Sequence, residues 1–129
     1  KIFKMSLQMS IRENFHISNM KTINLIHIFV FGLLLVYIGY RKKDTEKLAY
    51  YLLGLMTILI VLLVPFPSSI LNLSYWNMIH WTHYLILLPL FGYITYLGLN
   101  NKSMSNELYD GLLGTGLVVI VYHSYKYFK

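Results

Sequence analysis

Long apolar runs separated by short polar clusters dominate the chain. Four such runs can be marked, Ile23–Tyr40, Leu48–Pro65, Trp76–Leu99 and Gly111–Phe128. A helix crossing the hydrocarbon core of a bilayer needs about 20 residues, within a range of roughly 17–25. All four runs meet that length. The fourth is the most polar, because it carries Thr115, His123, Ser124 and Lys126. Backbone groups in lipid must be satisfied within their own segment, so helices are the expected form. The connections "RKKDTEK" and "NNKSMSNELYD" are short and polar, which predicts that sequential helices run antiparallel as neighbours. Pro65 and Pro67 should end the second helix sharply. The expected fold is an all-α, up-down four-helix transmembrane bundle over residues 22–129.

Residues 1–21 form a separate N-terminal extension of mixed character. Two readings fit it. One is a poorly ordered extension ahead of a natural start at Met20, consistent with a chain that begins at Lys1. The other is an interfacial helix with Ile2, Phe3, Met5, Leu7 and Ile11 turned inward. The first span is too long, and too plainly followed by others, to be a cleaved signal peptide.

Composition agrees with the pattern. The 129 residues are 57% hydrophobic and 12% charged, against about 25% charged in a typical soluble domain. A small soluble domain lacks the interior volume to hide that much apolar surface, so lipid is the expected solvent. The formal net charge of +6 suits anionic head groups better than nucleic acid, since the lysines sit in short clusters rather than in a stripe. No cysteine is present, which excludes disulfides, thiolate metal sites and cysteine catalysis. Orientation is open. In a four-span chain, Lys1, Lys4, Arg12, Lys21, Lys126 and Lys129 share one side, opposite Arg41, Lys42, Lys43, Lys47 and Lys102. A start at Met20 would favour a cytoplasmic "RKK" loop.

Three short echoes occur in the same order. "NLIH" at residues 24–27 returns as "NMIH" at 77–80, "YIG" at 37–39 as "YLG" at 96–98, and "LLG" at 52–54 as "LLG" at 112–114. Two tandem two-helix repeats, related by an axis near the membrane normal, would explain them. Chance in a chain rich in Leu, Ile, Tyr and Gly would also explain them.

The candidate chemistry lies in the histidines. His27, His80, His83 and His123 all fall near helix ends that the up-down arrangement puts on one side. Such a layer could bind a transition metal, hold haem b between facing helices, or relay protons. The bulky neighbours Trp76, Trp81 and Tyr84 argue against a haem pocket. The commoner explanation is an amphipathic interface belt shared with Tyr75, Trp76, Trp81, Tyr84, Tyr122, Tyr125 and Tyr127. At least one of His80 and His83 should turn inward, within about 8 Å of His27 or His123, close enough for a bridging water or ion.

Other features have plain structural readings. Asp44, Glu46, Glu107 and Asp110 lie near helix N-termini, where negative charge is favourable. Pro89, with Gly92, should kink the third span. Gly111, Gly114 and Gly116 offer close helix approach without forming GxxxG. Phosphate-loop, serine-nucleophile and potassium-filter motifs are all missing from the sequence, and no catalytic residue can be named.

The segments "IHIFVFGLLLVYIGY" and "ELYDGLLGTGLVVIVYHSYKYF" resemble small polytopic membrane proteins of large algal DNA viruses and aquatic metagenomes. The likeness implies an integral membrane role and a viral source, and no activity. The expected function is structural or accessory, without enzymatic activity. The alternatives are a haem- or metal-binding electron-transfer bundle and an ion- or proton-conducting oligomer. The expected partners are the lipid bilayer and further copies of itself or other membrane proteins.

Overall fold

A computed structural model describes residues 1–14 and 20–129, with side chains described for 1–10 and 20–129. The described residues form five helices. These are α1 (Ile2–Asn14), α2 (Met20–Asp44), α3 (Lys47–Leu63), α4 (Tyr75–Leu99) and α5 (Asn106–Phe128). Among the described residues, α2 and α4, at 25 residues each, are the helices long and apolar enough to cross a membrane; α3 is a shorter apolar helix.

Helix ends follow local chemistry. α3 stops at Leu63 because Val64 precedes Pro65 and adopts the extended conformation forced on such residues (φ −80°, ψ 124°). Asn77 then ties down the connection to α4. Its Oδ1 accepts from the Ser68 N–H (2.8 Å) and hydroxyl (2.9 Å), and its Nδ2 donates to the carbonyls of Ser69 (3.1 Å) and Asn72 (2.8 Å). α4 ends in a Schellman motif. Asn101 takes the left-handed conformation (φ 53°), and the Lys102 N–H donates to the Leu97 carbonyl at 2.9 Å. Ser105 caps α5 by accepting from the Leu108 N–H at 3.3 Å. Lys42, at the end of α2, holds φ 52° and ψ −127°, the first central position of a type II′ turn that glycine prefers. A lysine there carries strain of about 1–3 kcal/mol.

Both long helices contain a π-helical segment, His27–Gly32 in α2 and His83–Leu87 in α4. The second ends two residues before Pro89. A proline removes one helical donor and its ring crowds the carbonyl four residues back. Widening the preceding turn relieves that crowding, so the segment takes up the distortion expected of Pro89.

Packing pairs α2 with α5 and α3 with α4. The expectation that all sequential helices are neighbours is therefore corrected. α2 and α3 touch only lightly, and α4 and α5 are not among the closely packed pairs of described elements. Small residues explain the choice. A Cβ on Gly39 would lie 2.5 Å from the Leu113 nitrogen and 2.7 Å from the Tyr109 carbonyl oxygen; one on Gly116 would lie 2.8 Å from the Val36 nitrogen. Only glycine lets the α2 and α5 backbones come so near. In the other pair, Gly98 lies against the Tyr50 ring and Gly54 faces the Thr95 methyl. Both contact series run in opposite chain directions, so each pair is antiparallel. Leu35, Ile38, Leu53, Ile94 and Leu112 are the fully buried centre where α2–α5 meet.

The outer surface is apolar. Phe29, Leu55, Ile58, Leu85, Val118 and Val121 are each more than half exposed. Only 28% of the apolar window of α2 and 22% of that of α4 are buried within the protein, whereas the core helix of a soluble protein is mostly buried. On α1, Ile2, Phe3, Met5 and Leu7 are exposed, the face that an interfacial helix turns into the membrane surface; the Ile11 side chain lies outside those described. The polar side of α1 faces the protein instead. Gln8 is buried and donates to the Val64 carbonyl (3.1 Å), and Lys4 donates to the Tyr84 hydroxyl (2.7 Å). The Val64 carbonyl accepts from the Tyr84 hydroxyl as well, at 2.8 Å, so Gln8, Lys4, Tyr84 and Val64 form one polar cluster beneath α1.

Candidate functional site

Three histidines converge between the start of α2, the end of α5 and the first turns of α4. Counting from Met20, Tyr75 and Phe128, His27, His83 and His123 sit about 10, 12 and 8 Å inside their helices. Antiparallel pairing of α2 with α5 brings His27 and His123 face to face, with ring centroids 4.2 Å apart and planes at 24°. The Phe31 ring closes edge-on against His27 and the Tyr122 ring against His123, each at 5.0 Å. His83 is near enough to interact electrostatically with both. All three side chains are half-buried. His80 is half-buried one turn earlier on α4.

Every ring of the trio is held by its Nδ1. His27 lies 2.8 Å from the Ile23 carbonyl, His83 2.8 Å from the Ile79 carbonyl, and His123 2.8 Å from Oδ1 of Asn24. Those oxygens only accept, so each Nδ1 carries a proton, and in the neutral form of each ring Nε2 presents a lone pair. Both π-helical segments start at one of these histidines, His27 and His83. An anchored Nδ1–H with an open Nε2 is the arrangement of a metal-ligating or proton-accepting imidazole. Among the described residues, however, no three His, Asp or Glu side chains group so as to hold a metal ion together. A haem iron between His27 and His123 would require the stacked rings to move apart.

Asn24 is the residue of this site that sequence reasoning missed. It is buried at 4% exposure and orients His123 from another helix. The signal was present as a lone amide three residues before His27 on an otherwise apolar face. The belt reading also has support at this end. Lys126 Nζ lies 4.9 Å from the Tyr75 ring centroid and Lys21 Nζ 5.8 Å from that of Tyr127, contacts in which a cationic tip reaches past aromatic rings. Comparison of the chain with protein-family models, curated proteins and solved structures gave no match.

Proposed function

We propose that the protein is a multi-pass integral membrane protein with a structural or accessory role, α2–α5 forming an up-down four-helix transmembrane bundle. The observation that carries this reading is the outward apolar surface of α2 and α4, most of whose apolar windows stay unburied. Leaving those side chains in water is unfavourable by about 25 cal/mol for each Å² of apolar area. α3 and α5 cross beside them because each is zipped along a spanning partner. The pairing α2–α5 and α3–α4 is also what two tandem two-helix repeats would produce, since exchanging the repeats turns one pair into the other. The membrane is viral or host-derived, in keeping with the resemblance of the two quoted segments. Alkaline carbonate treatment of membranes from expressing cells tests the reading: the protein stays in the pellet, and release into the supernatant would refute it.

A second reading is favoured by the trio of anchored imidazoles. His27, His83 and His123 would take up protons at their Nε2 atoms, or one or two of them a transition metal completed by other ligands, with Asn24 orienting His123. Isothermal titration of the detergent-solubilised protein with Zn²⁺ and Cu²⁺ tests the metal branch. Binding that is unchanged in His123→Ala would rule this trio out.

A further inference from the structure

At the end of the molecule opposite the histidines lies a polar cavity of about 470 Å³, lined by Tyr40, Arg41, Lys42, Lys43, Asp44 and, from the α4–α5 side, Asn106 among others. Its volume falls within the roughly 300–1,000 Å³ of small-molecule sites. Three cations face one carboxylate, Asp44. Lys42 is engaged by Asp110 at 3.2 Å, and Arg41 reaches only the Asp44 backbone carbonyl, at 3.4 Å. Among the described residues, neither Arg41 nor Lys43 pairs with a carboxylate. Asn106, the first residue of the 23-residue helix α5, lines the same cavity, so the helix N-terminus lies at its edge. Lys42, in the middle of this basic run, holds a left-handed backbone (φ 52°). Neutralising the C-terminal carbonyls of α2 would need basic residues but neither a cavity nor a strained turn.

We propose that this cavity binds the phosphodiester head group of an anionic glycerophospholipid. Arg41 and Lys43 hold the phosphate oxygens, the α5 N-terminus adds a backbone donor, and Asp44 accepts from a head-group hydroxyl. The acyl chains run down the exposed apolar flank of α2. The lipid source is favoured because the cavity opens where α2, an apolar helix long enough to span a bilayer, meets its polar loop. The inference rests on the membrane reading. Failure of that reading would appear in the carbonate extraction, which removal of Arg41 and Lys43 leaves unchanged.

The test uses the full chain in neutral detergent and phosphatidylglycerol with a fluorescent acyl chain, followed by anisotropy, with phosphatidylcholine carrying the same label as reference. Phosphatidylglycerol should bind in preference to phosphatidylcholine. R41Q/K43Q should lose about 20–30-fold in affinity, from about fivefold per basic residue. K47Q/K102Q removes the same charge outside the cavity and should change affinity less than about threefold. Lys43→Arg should retain binding, and circular dichroism checks that each variant is helical. Competition by inorganic phosphate would support phosphate recognition at the site. Equal affinity for the two lipids, equal losses in the two double variants, or binding of inorganic phosphate without phosphatidylglycerol would each overturn the proposal.

Discussion

Replacing Gly39 by alanine isolates the contact that joins α2 to α5. The added Cβ would meet the Leu113 nitrogen at 2.5 Å, the Leu113 Cβ at 2.7 Å and the Tyr109 carbonyl oxygen at 2.7 Å. Two of these are backbone atoms of a facing helix, so no rotamer change clears them. Reaching ordinary contact near 3.5 Å requires the helices to part by roughly 1 Å over this turn. That shift loosens Ile38 and Leu112, both fully buried. Overpacking of this kind is unfavourable by about 1–3 kcal/mol, offset by up to about 1 kcal/mol from the better helix propensity of alanine. The net expectation is a loss of about 1–2 kcal/mol. Gly114 provides the internal control, since a Cβ there meets nothing within 4 Å, and Gly114→Ala should be neutral or stabilising by up to about 1 kcal/mol. Both are measured by unfolding the detergent-solubilised protein with increasing sodium dodecyl sulfate, followed by circular dichroism. If Gly39→Ala proves as stable as Gly114→Ala, the close approach of α2 and α5 is not what holds the bundle.

Three further outcomes follow from particular bonds. Asn24→Ala removes the partner of His123 Nδ1 in a buried position and should lower stability by about 1 kcal/mol in the same assay; no loss would mean that Asn24 does not orient the ring. Lys42→Gly relieves the strained turn at the end of α2 while giving up an exposed ion pair of small value, so it should raise stability by about 1 kcal/mol; a loss would place the strain elsewhere. A chain starting at Met20 should still insert and remain helical, but should uncover the Tyr84–Val64 hydrogen bond that Lys4 and Gln8 now overlie; unchanged proteolysis at residues 64–67 would deny α1 that covering role.

Helix positions were legible because each rests on a local rule. Residue 64 is extended because proline follows it, and α5 begins after a serine able to cap it. Helix partners were not legible, because the connections restrain neighbours only loosely and the choice is made by Gly39, Gly98 and Gly116 meeting surfaces distant in sequence. A histidine layer could be seen from helix lengths alone. Its membership could not, because His80 and His83 lie on the same side of α4 and the sequence does not say which of them approaches the α2–α5 pair, as His83 does. The apolar face of α1 was legible from its pattern, whereas the contacts of its polar face were not, because Gln8 and Lys4 meet residues distant in sequence. Here its polar side joins the Tyr84–Val64 contact through Lys4 and Gln8, and its apolar side faces outward.

The central claim is that the polar ends of this helical chain lie on opposite sides of a membrane. The sequence has no cysteine, so single cysteines at Ser69 and Ser103, both exposed in loops at opposite ends, report without background. In sealed vesicles treated with a membrane-impermeant maleimide, one of the two variants should be labelled from outside, and the other only after permeabilisation. Labelling of both from the same side would contradict the four-span bundle.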